Sequence, residues 1–234
     1  MEKKFILTDK FVINSFGIKL FQIKCTKSFK YAQKGDFGGY VEKEGNLDQK
    51  NDAWVSDNAR VFGNARVSDN ARVFGDARVS GNARVFGDAW VSGNARVSGD
   101  AWVSGNAWVF GDARVSGNAR VSGDARVSGN ARVSGNAWVS GDAWVSGNAW
   151  VSGNADIEND NEHCGFDGFG SCNRHTHAYM TKEKKVEIIC GCFRGSIEEF
   201  EKKVEETHSG TVYEKQYKSI INVIKIKFGL TDFT

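Results

Sequence analysis

Residues 89–106 read AWVSGNARVSGDAWVSGN, three copies of a six-residue unit with the form Ala-x-Val-Ser/Phe-Gly/Asp-Asn/Asp. The unit recurs without a gap from Asp52 to Ile157. A period of six matches no helical face, and a glycine in nearly every unit would break a helix. The alternation within Ala-x-Val-Ser is typical of a strand, with Ala and Val pointing inward. The Gly-Asn or Gly-Asp pair can turn a corner, because glycine readily adopts a positive φ.

Four residues of strand and two of corner form one side of a solenoid, and three sides form a coil of 18 residues. The array predicts a mostly β chain built on a three-sided parallel β-helix of about six coils, with neighbouring strands ~4.8 Å apart. Upstream, Val41 and Leu47 keep the spacing of six before a two-residue slip precedes Val55. We therefore expect the array to begin one or two units earlier, with a bulge near residues 49–50.

The unit resembles the hexapeptide repeat of the left-handed parallel β-helix, in which Val is the aliphatic residue and Ala a small one; the position after Val departs from that pattern. The left-handed sense is implied by this resemblance. The segment KGDFGGYVEKEGNL (34–47) resembles the N-terminal module of hexapeptide-repeat proteins common in phages, prophages and enterobacteria. The segment CGCFRGSIEEFEKKVEETH (190–208) resembles the tail module of the phage members.

Three regions follow from these patterns. Residues 1–40 are expected to form a small β cap, residues 41–157 the β-helix, and residues 158–234 an α+β C-terminal module. In the last region we expect a hairpin of 175–181 with 186–192, then helices over 197–208 and 211–228, the first begun by a capping box. Caps are expected because both ends of a solenoid expose unpaired strand edges.

Outward residues 18 positions apart should stack, which sorts the x positions into three stripes. The first stripe comprises Trp54, Arg72, Trp90, Trp108, Arg126 and Trp144, joined by Phe74 and Phe110. The second stripe comprises Arg60, Arg78, Arg96, Arg114 and Arg132, which we call the arginine row, followed by Trp150. The third stripe comprises Arg66, Arg84, Trp102, Arg120, Trp138 and Asp156, with Phe86.

The first stripe and the arginine row are the candidate binding surface. Stacked Trp and Arg can form cation–π ladders that stabilise the coil itself. A row of exposed aromatic residues also exceeds what a monomer normally shows to water, and indicates an interface with a partner or a second copy. The arginine row indicates a track for phosphates or for an acidic protein surface, unless corner aspartates neutralise it. The array has no net charge, which disfavours a general nucleic-acid groove.

No catalytic residue, cofactor or metal is predicted. The resemblance includes acyltransferases with a catalytic histidine near the coil, but all four histidines of this chain lie in the tail, so an acyltransferase is kept as an alternative only. The spacing of the tail residues does not suit a zinc knuckle. The weak candidates for a metal are Cys164, Cys172, Cys190, Cys192, His175 and His177.

The formal net charge of +2 does not point to a particular partner. No apolar run approaches the ~18 residues of a membrane span, and five cysteines without an N-terminal signal pattern favour a reducing cytosol. We therefore expect a non-catalytic binding protein of phage or prophage origin in the host cytoplasm. It would act on a host protein or complex, with inhibition of a defence complex as one such role. The alternative function, from a different class, is that of a structural module that assembles with copies of itself.

Overall fold

The computed structural model describes residues 2–230, and its centre is a β-solenoid of about seven turns. Each unit contributes one strand of two residues, x and Val, and strands 18 residues apart pair in parallel. Three parallel sheets result, one for each stripe. The three-sided β-solenoid is thus confirmed, while its left-handed sense stays a prediction.

Each stripe runs along one sheet. The first-stripe sheet contains β4 (Trp54–Val55), β7 (Arg72–Val73), β10 (Trp90–Val91), β13 (Trp108–Val109), β16 (Arg126–Val127) and β19 (Trp144–Val145). The second-stripe sheet contains β5 (Arg60–Val61), β8 (Arg78–Val79), β11 (Arg96–Val97), β14 (Arg114–Val115), β17 (Arg132–Val133) and β20 (Trp150–Val151). The third-stripe sheet contains β6 (Arg66–Val67), β9 (Arg84–Val85), β12 (Trp102–Val103), β15 (Arg120–Val121), β18 (Trp138–Val139) and β21 (Asp156–Ile157).

The solenoid interior is filled by the alanines and valines of the array, all of which are buried as predicted. Backbone hydrogen bonds join each turn to the next. The amide of Arg78, for example, donates to the carbonyl of Ala95 at 2.9 Å, and that of Ser80 donates to Val97 at 2.9 Å. Each turn therefore repeats the contacts of the one before it.

Corners turn where the backbone enters the left-handed region, as the Gly-Asn pair predicts. Gly99, in an inner turn, has φ +68°. Asp57 and Asp69 replace glycine at two corners with φ of +56° and +58°. Their carboxylates compensate by accepting from the amides of Gly75 (2.9 Å) and Gly87 (3.1 Å) in the next turn.

The N-terminal elements are β1 (Phe5–Ile13), β2 (Lys19–Cys25) and β3 (Phe37–Val41), with a 3-10 turn at Glu44–Asn46. β1 and β2 pair antiparallel, and β3 joins β5 in parallel, so the second-stripe sheet has nine strands. Val41 pairs with Val61 and Leu47 bridges to Val67. Both offsets are two residues longer than 18, which confirms the slip. The earlier start gives about seven turns rather than about six.

The C-terminal elements are β22 (His163–Phe169), β23 (Arg174–Met180), β24 (Val186–Cys190), β25 (Phe193–Gly195), α1 (Ile197–His208) and α2 (Val212–Lys227), after a 3-10 turn at Asp160–Glu162. The hairpin is confirmed, but β24 ends two residues early because Gly191 turns the chain at φ +60°. Both helices are confirmed, and Ser196 and Glu199 form the capping box of α1.

The antiparallel sheet β22–β25 lies between the last solenoid turn and the two helices. On one side, Tyr179 and Ile189 join the solenoid core. On the other side, Ile188 packs with Phe200 and Ile221 of the helices in a second core. The bridge between Ala155 and Thr181 ties the sheet to the last turn. We call β22–β25 with α1 and α2 the C-terminal cap.

Candidate functional site

The first stripe forms a continuous stack of cations and aromatic rings. The Arg72 guanidinium lies 4.6 Å from the ring centre of Tyr31 and 5.1 Å from that of Trp90. Trp90 and Trp108 are parallel with ring centres 5.0 Å apart, and Arg126 follows at 5.6 Å from Trp108. These contacts confirm the predicted cation–π ladder. Many side chains of this stripe therefore stabilise the coil itself.

The structure removes one residue from the predicted binding surface. Trp54 is only 4% exposed, because the ring of Phe29 packs edge-on against it at 5.3 Å. The N-terminal segment that carries Phe29 covers this end of the first stripe. The prediction that Trp54 is a surface residue is therefore wrong. Phe74 and Phe110 are half-buried, and Phe74 packs edge-on against Trp90 at 6.0 Å.

The third stripe repeats this stacking around a single tryptophan. Arg84 and Arg120 lie 5.4 and 5.0 Å from the ring centre of Trp102. Phe86 meets the same ring edge-on at 6.0 Å. At the N-terminal end of this stripe, Arg66 and Arg84 line a cavity of about 740 Å³. Glu44, Asp48 and Asp69 also line it, so its charge is mixed.

The arginine row differs from both. Its five side chains stand directly beside one another in register on strands β5, β8, β11, β14 and β17. Tyr40 pairs with Arg60 at one end, and Trp150 pairs with Arg132 at the other. Arg78, Arg96, Arg114 and Arg132 are exposed. Within residues 2–230, no carboxylate lies within 4 Å of an arginine of the row.

Direct ion pairs between the row and the corner aspartates are therefore not formed within the described residues. Four corner carboxylates, those of Asp88, Asp100, Asp112 and Asp124, accept hydrogen bonds from asparagines one turn earlier instead. Asn82 donates to Asp100 at 2.8 Å, and Asn94 donates to Asp112 at 3.1 Å. These short ladders run along the corners, parallel to the solenoid axis, and leave the arginines of the row without a direct ion pair.

Four tryptophans remain accessible in the C-terminal half of the solenoid. Trp138, Trp144 and Trp150 occupy consecutive units, one on each side of the prism, and are 40, 47 and 40% exposed. Trp108 is 41% exposed on the first stripe. The indole N–H of Trp138 and that of Trp144 each donate to a serine hydroxyl at 3.0 Å, which holds these two rings in place. We call Trp138, Trp144 and Trp150 the tryptophan girdle.

The weak metal candidates are divided by the cap sheet. His175 and His177 face the solenoid, whereas Cys164 and Cys190 pack with the second core beside the helices. Burial raises the pKa of Cys164 to about 11, which keeps its thiol protonated. Among residues 2–230, no group of three or more His, Cys, Asp or Glu is arranged to hold a metal ion.

Two cysteines of this set lie elsewhere. Cys172 and Cys192 are exposed and line a cavity of about 250 Å³ together with Cys190 and Arg174. Burial and the neighbouring Cys190 raise the pKa of Tyr217, at the same cavity, to about 12. The cavity is thus lined by thiols, a neutral phenol and the two cations Arg174 and Lys203.

Three histidines meet at the junction of cap and solenoid. The ring of His177 lies 5.4 Å from that of His163 and 5.6 Å from that of His175. Both ring nitrogens of His177 and of His163 are buried without a hydrogen-bond partner, while His175 Nδ1 lies 2.8 Å from Asp167. Burial, with His163 and His175 nearby, holds the pKa of His177 well below its usual range.

Sequence reasoning missed the residues that anchor the N-terminal segment. The Lys4 ammonium donates to the carbonyls of Lys50, Asn51 and Ala53 at 3.2, 3.1 and 2.8 Å, within the two-residue slip. Burial lowers its pKa to about 8. The two-residue slip was the signal that could have revealed this contact, because its extra backbone carbonyls require a hydrogen-bond donor.

Tyr40, at the head of the arginine row, was also missed. It precedes Val41 as x precedes Val in every later unit, and this position was the available signal.

Comparison with known families agrees with this architecture. Six segments match the model described as YdcK beta solenoid repeat, at residues 53–68, 65–79, 77–93, 89–105, 113–126 and 125–141. The chain is a β-solenoid repeat protein. A comparison with curated proteins gives no match. In the described part of this β-solenoid protein, neither helix has the length and apolar character needed to cross a bilayer.

Proposed function

We propose that this β-solenoid protein is a non-catalytic binding protein of phage or prophage origin that acts in the cytoplasm of a bacterial host. Its partner is a host protein or complex, and inhibition of a defence complex is one form the activity would take. The phage setting is supported by the resemblance of residues 34–47 and 190–208 to phage modules. Binding is supported by the outward face of the solenoid.

The tryptophan girdle carries this proposal. Three large aromatic side chains, each 40% exposed or more, stand on one rigid turn whose interior is closely filled. Trp and Arg are the residues most enriched at binding hot spots. A rigid scaffold also loses little conformational entropy on binding, which favours affinity.

The test compares two triple variants with the wild type in host lysate, with molar mass followed by light scattering. Trp138→Ser, Trp144→Ser and Trp150→Ser together should abolish capture of a discrete host complex. The matched control replaces Phe11, Phe16 and Phe37 of the N-terminal region, which are also exposed, by serine. It should leave capture intact.

Two results would overturn the proposal. Wild-type protein that captures no discrete complex would refute it. The self-assembling module would be favoured instead if the wild-type protein forms a stable oligomer whose molar mass does not change in lysate. In that case the triple tryptophan variant, called the girdle variant, should be a monomer.

A further inference from the structure

The arginine row carries a repulsion between like charges that no direct ion pair in the described structure relieves. Adjacent strands place like charges about 4.8 Å apart, and directly opposed like charges destabilise a sheet. Arg78, Arg96 and Arg114 stand in this arrangement with no carboxylate within 4 Å among residues 2–230. Four of the five arginines of the other stripes differ, because Arg72, Arg84, Arg120 and Arg126 each stack on an aromatic ring. A partner that brings carboxylates to the row would relieve its repulsion.

The charges of the array are also segregated around the prism. Five of the ten aspartates of the array lie on the corner opposite the arginine row, between the third and first stripes, namely Asp52, Asp69, Asp88, Asp124 and Asp142. The corner that directly precedes the row carries three more, Asp57, Asp76 and Asp112. The corner that directly follows the row consists of Asn64, Asn82, Asp100, Asn118, Asn136 and Asn154. The array therefore has no net charge, but its second-stripe side carries five of its ten arginines in one line.

The geometry points to an acidic α-helix of the partner protein, lying along the solenoid axis on the arginine row. This inference rests on the proposed function and names the chemistry of the partner. Acidic residues three and four positions apart on a helix lie about 5–6 Å from each other, close to the ~4.8 Å between successive arginines. Each guanidinium can hold a carboxylate by two parallel hydrogen bonds.

The length of the row suits such a helix. Seven parallel strands run from the one with Tyr40 to the one with Trp150, and their six spacings of ~4.8 Å give a length of about 29 Å. A helix of about 20 residues has the same length, and its diameter of ~10–12 Å suits one narrow side of the prism. Tyr40 and Trp150 then offer aromatic contacts at the two ends.

A nucleic-acid strand fits the row less well. Single-stranded nucleic acid is held by aromatic residues that alternate with cations, so that bases can stack. No aromatic side chain interrupts the row between Arg60 and Arg132.

The experiment measures binding of two synthetic alanine-rich peptides, about 20 residues long, to the full chain at low salt by isothermal titration calorimetry. One peptide carries its glutamates on a single helical face at three- and four-residue spacing. The other carries the same glutamates scattered around the helix. We expect the first peptide to bind about tenfold more tightly, because only it presents a line of carboxylates to the row.

Two charge-matched variants locate the site. The row variant replaces Arg78, Arg96, Arg114 and Arg132 by glutamine and should weaken binding of the first peptide by about tenfold or more. The control replaces Arg66, Arg84, Arg120 and Arg126, on the other two sides, by glutamine and should change binding by less than about threefold. Circular dichroism on both variants confirms that each is folded.

Several results would overturn the inference. Equal binding of the two peptides, equal losses in the two variants, or no binding by the wild type would each do so. Tighter binding of a single-stranded oligothymidine of similar length, lost in the row variant, would assign the row to nucleic acid. If the row variant still captures the host complex that the girdle variant loses, the proposed function stands and the acidic-helix partner falls.

Discussion

The solenoid and the C-terminal cap are stabilised in opposite ways. In the solenoid each turn repeats the same buried Ala and Val, the same backbone ladder and the same corners, so its stability is spread over the array. In the cap, single residues such as His177 and Tyr179 are buried in contacts that occur once. Repetition therefore makes a region tolerant of local change, whereas a unique junction concentrates its vulnerability in a few groups.

The largest difference between the two regions should appear on acidification. Burial holds the pKa of His177 well below its usual range, and burial also lowers the pKa of His163 despite the nearby Asp160. The unfolded chain therefore binds more protons than the folded one as pH falls below the usual histidine pKa of ~6.5. The free energy of unfolding of the cap should have its full value above that pH. It should decrease below that pH, by about 1.4 kcal/mol per unit of pKa shift.

The two regions can be followed separately. Both helices lie in the cap, and all seven tryptophans lie in the array. Urea unfolding at about pH 7.5 and about pH 5 should lower the midpoint of the helical ellipticity far more than that of tryptophan fluorescence. A His177→Phe variant should reduce the pH effect, and His208→Gln should retain it. Parallel shifts of the two signals would contradict the comparison.

A smaller effect should distinguish an inner corner from one beside the cap. Gly99 and Gly147 both have positive φ, at +68° and +63°. A Cβ at Gly99 would lie 2.9 Å from the backbone nitrogen of Gly117, whereas one at Gly147 would meet nothing within 4 Å. Gly147→Ala should cost about 1 kcal/mol for its backbone conformation alone, and Gly99→Ala clearly more. Denaturation followed by tryptophan fluorescence measures both, and equal costs would be the contrary result.

The smallest disturbance should come from removing a whole turn. Deleting residues 94–111 joins Gly93 to Asp112 and keeps every stripe in register, so the fold and both caps should persist. Deleting only 94–99 should instead move every later residue to the neighbouring side and interrupt the arginine row after Arg78. Circular dichroism should find both variants folded. The helical acidic peptide should bind the first and lose affinity for the second; equal binding would contradict three sides per turn.

The sequence was sufficient wherever the structure is local or periodic. Turns of constant length place residues 18 apart side by side, so the three stripes and the inward Ala and Val followed directly from the repeat. The start of α1 followed from its capping box at Ser196 and Glu199, since that signal lies within four residues. β22 and β25 were not predicted, because β22 contains Gly165 and Gly168 and β25 has only three residues, so neither shows a clear alternating apolar pattern.

The sequence by itself determined the solenoid, its three sides and the identity of the residues on each. Only the tertiary structure decided which of those residues are exposed and free to contact a partner. Phe29 covers Trp54, the cap sheet separates His177 from Cys190, and the corner aspartates turn to asparagines rather than to the arginine row. The physical reason is that a period specifies direction and register, whereas exposure and charge pairing depend on distances across separate elements.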